Sequence, residues 1–105
     1  MDIDIIIPIY NAFDFVKKCI ETVIEHTDLT QHTLLLVNDK STDERILPLL
    51  NSFIKENQSL NIILIDNKDN QGFVRTVNIG MQYSHHDVVL LNSDTEVTRN
   101  WLSKI

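Results

Sequence analysis

Two carboxylates stand where short apolar runs give way to polar residues: Asp39 in Asn38-Asp39-Lys40-Ser41 and Asp94 in Asn92-Ser93-Asp94-Thr95. A carboxylate so placed has two chemistries open to it. It can accept a hydrogen bond from a ligand N–H, or it can hold a hard cation such as Mg²⁺ or Mn²⁺, which takes oxygen ligands and keeps water or substrate phosphate in its other positions. Two further apolar runs end in the same way, at Pro8-Ile9-Tyr10-Asn11 and at Asp66-Asn67-Lys68-Asp69-Asn70. Each acidic residue also has a plain structural reading, because an aspartate after a strand often closes a turn or caps the next helix. His85-His86-Asp87 lacks the spacing of metal ligands, since adjacent residues in a turn point apart, and reads as surface. Cys19 lies in an apolar helical stripe and reads as a small buried hydrophobe rather than a nucleophile.

The elements that must position these residues follow from hydrophobic period. Ile3 to Ile9, Thr33 to Asn38, Asn61 to Asp66 and Val88 to Leu91 are too short for helices, rich in Ile, Val and Leu, and apolar on both faces, as in a parallel sheet covered by helices. Between them run helical stripes. Ala12, Phe15, Val16, Cys19, Ile20, Val23 and Ile24 predict a first helix, with Asn11 as N-cap and Asp14 three residues on. Ile46, Leu47, Leu50, Phe53 and Ile54 predict a second, preceded by a capping-box pattern at Ser41-Thr42-Asp43-Glu44. Pro48 requires that this helix either kink or start later than the box. Phe73, Val77 and Met81 predict a third stripe, and a fourth helix is expected from Thr98 through Trp101, Leu102 and Ile105. This alternation predicts a doubly wound α/β fold, a mostly parallel sheet with helices on both faces, occupying residues 1–105 as one domain. In such sheets ligands meet the carboxyl ends of the strands, so the four polar ends form one rim.

Composition narrows the partners. The 105 residues carry 15 acidic and 9 basic side chains, a net charge of -6, with 43% hydrophobic residues and one cysteine. That excludes a disordered tail and an internal disulfide. It also argues against nucleic acid, which needs clustered Lys and Arg. No apolar run approaches the ~20 residues of a membrane helix, and no basic leader precedes the first run, so a cytoplasmic location is expected, the cytoplasmic face of a membrane included. Neither G-x-G-x-x-G nor G-x-x-x-x-G-K-[ST] occurs. An acidic rim facing a diphosphate therefore requires a divalent cation between them.

Four blocks in order, Ile5-Ile6-Ile7-Pro8-Ile9-Tyr10-Asn11, Val37-Asn38-Asp39-Lys40-Ser41-Thr42-Asp43, Asn70-Gln71-Gly72 with Asn78-Ile79-Gly80, and Leu90-Leu91-Asn92-Ser93-Asp94, resemble the signature of family-two glycosyltransferases, whose fold is the nucleotide-sugar-binding glycosyltransferase-A fold. The resemblance covers nearly the whole chain. It implies donor-binding roles for Pro8, Tyr10, Asn11, Asp39, Arg75, Asn78, Asn92 and Ser93, and a metal-binding role for Asp94. Tyr10 and its neighbours would line the nucleobase, and Asp39 would accept the imide N–H of uracil or thymine. Arg75 and Asn78, three apart on one helix, would reach the nucleotide or its phosphates. Asp94 matches the last aspartate of the family's D-x-D motif, which holds the metal (Mg²⁺ or Mn²⁺) bridging the diphosphate.

The first acidic position of that motif is Asn92, a neutral and weaker ligand. Asn92-Ser93-Asp94-Thr95-Glu96-Val97 resembles an N-x-D-T-E branch that includes rhamnosyltransferase-like proteins. Lys40 stands where glycine is usual in the family.

The resemblance implies an inverting enzyme that moves a sugar from a UDP- or dTDP-sugar to a glycan or lipid-linked acceptor. The family's catalytic base and acceptor site follow well downstream of D-x-D, so the chain is expected to be the donor-binding portion of a longer enzyme, inactive alone and prone to self-association through an uncovered sheet edge. The alternative is a non-catalytic nucleotide-binding or protein-interaction module of the same fold. A phosphoreceiver domain is set aside, since it needs paired carboxylates after the first strand, where Pro8-Ile9-Tyr10-Asn11 stands.

Overall fold

A computed structural model describes residues 2–105. The elements run β1 (Ile3–Ile9), α1 (Phe13–His26), β2 (Thr33–Asn38), α2 (Ile46–Glu56), β3 (Ile62–Asp66), α3 (Phe73–Tyr83) and β4 (Asp87–Leu90), then a single 3₁₀ turn at Leu102–Lys104. All strand pairs are parallel, in the order β3-β2-β1-β4. The doubly wound α/β fold expected from the sequence is the one observed.

Strand alternation sets the layers. Ile5, Ile7 and Ile9 of β1 and Leu34 and Leu36 of β2 pack with Val16, Cys19, Ile20 and Val23 of α1 and with Ile46, Leu50 and Phe53 of α2. Ile6, Leu35 and Val37 point to the other face, with Ile79 of α3 against them. Burial on both faces explains the near-continuous apolar runs of the two central strands.

α3 packs differently from its predicted stripe. Thr76 and Gly80 are its buried residues, while Phe73 and Met81 are exposed. The reason lies at Gly80, where a Cβ would stand 2.9 Å from Ile6 Cγ2 and 3.3 Å from Val37 Cγ2. The helix lies so close to the sheet there that only the face of small residues fits against it.

Three further expectations change. Ala12, not Asn11, is the N-cap of α1, and it provides no side-chain cap. Asn11 and Ala12 both adopt left-handed φ, of 56° and 59°, and the Asn11 side chain is spent elsewhere, accepting the Asp43 N–H at 2.9 Å. The Ser41-to-Glu44 box does not open α2, which starts at Ile46 after Arg45. Pro48 therefore falls in the first turn, where a missing N–H costs no intrahelical bond. No α-helix follows Thr98: Asn100 takes a φ of 60°, and the chain makes only turns on either side of it.

The carboxylate of Asp4 is buried and accepts from Ser84 Oγ, and it lies 3.1 Å from His86 Nδ1. Burial alone would raise this carboxyl, but the bonds from Ser84 and His86 outweigh it and hold it below its ordinary value. His86, read as plain surface, thus ties the turn before β4 to β1. Among the described residues no three of His, Cys, Asp or Glu converge as a metal cluster, and no helix is long and apolar enough to cross a membrane.

Candidate donor-binding site

The carboxyl ends of β1, β2 and β4 open into one cleft of about 700 Å³. Pro8, Tyr10, Asp39, Asn92, Ser93 and Asp94 line it, six of the nine residues singled out in the sequence. Asn11, Arg75 and Asn78 do not reach its wall. Asn11 sits behind it, bonded through Nδ2 to Thr42 Oγ1 at 2.9 Å. Arg75 and Asn78 are exposed on α3, which turns Thr76 toward the sheet and so carries them round to the outside.

Asp39 is the most constrained of the site residues, at 4% exposure. Its backbone N–H donates to Ile9 O at 2.8 Å, which fixes β2's exit against β1. Oδ1 accepts the Gln71 N–H at 2.6 Å and Asn67 Nδ2 at 3.1 Å, and Oδ2 accepts the Gly72 N–H at 2.9 Å. Burial would raise this carboxyl; the N–H groups of Gln71 and Gly72 and the side chains of Asn67 and Thr76 more than offset it, so it stays ionised below the usual carboxylate range. Four donors of the protein, the N–H groups of Gln71 and Gly72 and the side chains of Asn67 and Thr76, thus hold this carboxylate in the cleft wall.

Left-handed backbone shapes the rim. Gly72 has a φ of 83°, which orients its N–H toward Asp39 and starts α3. Lys40 has a φ of 52°, which explains why glycine would suit that position. Asn38, at the end of β2, donates to Asp66 at 3.0 Å and accepts from Ser41 Oγ at 2.7 Å, so the β2 and β3 ends form one hydrogen-bonded platform.

At the far end of the cleft, Leu91 N–H donates to Ile6 O at 2.9 Å and Thr95 N–H closes a turn onto Asn92 O at 3.0 Å. Asn92, Ser93 and Asp94 are presented on this turn. The donor set is one carboxylate and one amide oxygen. Mg²⁺ and Mn²⁺ sites are often built from one or two carboxylates completed by substrate phosphates, so Asp94 with Asn92 fits such an ion when a diphosphate supplies the rest.

Seven wall residues carried no predicted site role: Ile9, Ala12, Phe15, Asn70, Gly72, Phe73 and Thr76. Phe15 and Phe73, assigned to apolar helix faces, both line the cleft and remain 62% and 57% exposed. Each lies in the first turn of its helix, where side chains overhang the strand ends. The only signal available was that position.

The model of the family described as Glycosyl transferase family 2 matches residues 4–105. The chain belongs to this family. Within the glycosyltransferases it is 31% identical over 104 residues to polypeptide N-acetylgalactosaminyltransferase 11 of Xenopus tropicalis, an alignment covering 96% of the chain and 17% of that relative. In structure it is similar to GalNAc-T7 with UDP, GalNAc and Mn²⁺, at a TM-score of 0.83 and 21% identity over 96% of this chain and 19% of that one. It is also similar to a mannosyltransferase of Pyrobaculum calidifontis in complex with GDP-Man and Mn²⁺, at a TM-score of 0.80 and 17% identity, covering 88% of this chain and 27% of that one. The glycosyltransferase-A fold expected from the sequence is thereby established, over a fraction of each relative's length.

Proposed function

We propose that this glycosyltransferase chain binds a nucleoside-diphosphate sugar, with uracil or thymine as the base, and that the whole protein transfers the sugar with inversion to a glycan or lipid-linked acceptor. One observation carries the reading: Asp39 and the Asn92–Asp94 turn, more than fifty residues apart in sequence, line the same cleft. The base end is Asp39 with Tyr10 and Phe73, where a carboxylate meets aromatic surface. A carboxylate already engaged by four donors of the protein has room for one further N–H at most, which suits the imide N–H of uracil flanked by carbonyls. Guanine presents two adjacent donors and is matched less well. The diphosphate end is Asn92, Ser93 and Asp94.

A divalent ion held by Asp94 and Asn92 would, when bound, neutralise charge on the leaving diphosphate. This chain's own residues bind and orient: Asp39 fixes the base, and the Asn92–Asp94 turn sets where the diphosphate lies. The carboxylate that deprotonates the acceptor belongs to a further part of a longer protein. The Asn92-to-Glu96 block supports the rhamnosyltransferase-like branch.

Calorimetric titration of the chain with UDP and with GDP, each with and without Mn²⁺, tests this. UDP is expected to bind more tightly than GDP, more tightly with Mn²⁺ than without, and Asp94→Ala removes the gain from Mn²⁺. Absence of UDP binding, or a Mn²⁺ gain that survives Asp94→Ala, overturns it. The neutral Asn92 in the metal position favours one second reading, a non-catalytic nucleotide-binding module. Its mark is UDP binding that is tight and indifferent to Mn²⁺.

A further inference from the structure

The turn that carries Asn92 and Asp94 has no regular secondary structure of its own, yet it is held along one side of α1. Thr22, in the middle of that helix, is buried. Its hydroxyl donates to Cys19 O at 2.8 Å and accepts the Val97 N–H at 3.1 Å. The first bond fixes the hydroxyl rotor so that a lone pair faces Val97. Cys19 Sγ, one turn earlier, lies 3.7 Å from Asn92 O. Trp101 Nε1 donates to Thr27 Oγ1 at 2.8 Å, just past the end of the helix. Leu91 and Val97 are buried on either side of the turn. Threonine in a helix interior is ordinarily neutral or unfavourable, and its hydroxyl bonded back to the preceding turn gains little by itself. Here the same hydroxyl also satisfies a buried N–H that no strand or helix would otherwise pair.

We infer that Thr22 is a positioning residue for the diphosphate end of the cleft: through Val97 it sets the Asn92–Asp94 turn, and so the placement of the Asp94 carboxylate, without touching the ligand. The inference rests on the reading of the cleft as a metal-assisted donor site. Thr22→Val keeps the shape and leaves the Val97 N–H unpaired; Thr22→Ser keeps the hydroxyl.

The test pairs two measurements on the 105-residue chain. In calorimetry with UDP, Thr22→Val is expected to weaken binding roughly threefold to tenfold in the presence of Mn²⁺, the range of one buried hydrogen bond, and to leave Mn²⁺-free binding unchanged. Thr22→Ser restores the wild-type values. In amide hydrogen exchange without ligand, Thr22→Val speeds exchange over residues 92–97 by about tenfold and leaves α1 unchanged. Exchange over 92–97 that matches wild type overturns the inference, as does a binding loss equal with and without Mn²⁺ or shared by Thr22→Ser. Failure of the wild-type chain to bind UDP overturns the donor-site reading instead, and the exchange comparison then still decides whether Thr22 anchors the turn.

Discussion

The Asp39 carboxylate accepts the backbone N–H of Gly72 at 2.9 Å across 33 residues of sequence. That bond joins the end of β2 to the start of α3 and makes one side of the cleft. It also ties the cleft to pH. The folded carboxyl lies below its ordinary value of 3.8, so its stabilisation is complete above that value and is lost as pH falls from about 4 through the lower folded value. Thermal melts down an acid series are expected to show this loss, and Asp39→Asn to abolish that part of it. At neutral pH the same substitution costs roughly 1–3 kcal/mol, because an amide has one acceptor oxygen for four donors and leaves a buried one unpaired. Wild-type stability of Asp39→Asn at neutral pH would contradict the account.

Gly80→Ala places a Cβ 2.9 Å from Ile6 Cγ2, and Ile6 is fully buried. The clash outweighs the roughly 1 kcal/mol that alanine gains over glycine in a helix. A net loss of roughly 1–2 kcal/mol in urea unfolding is expected, with an unchanged denaturant slope. A stabilised variant would mean that α3 stands farther from the sheet.

Burial pushes the Cys19 thiol up to about 11; a Thr95 N–H partly offsets this and the nearby Asp94 charge adds to it. The native chain should therefore resist thiol reagents at about pH 8 and react only as fast as it unfolds. Rapid labelling of the folded protein would place the thiol at the surface.

β4 forms one edge of the sheet with Leu90 44% exposed, and the outer side of α3 adds Val74, Met81 and Tyr83. Apolar surface beside an unpaired strand favours self-association of the 105-residue chain. Light scattering across a concentration series should show a rising mass. A constant monomer mass would count against it.

The sequence by itself determined the layers and the rim. Apolar runs of strand length separated by helical periods specify a parallel sheet covered on both faces, and in such a sheet the polar strand ends must share one edge. Pro8, Tyr10, Asp39 and Asp94 were therefore legible as neighbours from their positions alone. Other features had no local signature. Asn11 looks like an N-cap, but its left-handed backbone and its bond to Asp43 become visible only when β1 and the chain after β2 lie side by side. The α3 stripe looks like Phe73, Val77 and Met81 because hydrophobicity is the only signal a sequence offers. The close approach of Gly80 to Ile6 selects the face of small residues and leaves Phe73 at the cleft. The hold of Thr22 on Val97 spans 75 residues. Periodicity reports which residues leave water; only packing decides which surfaces come within hydrogen-bond reach.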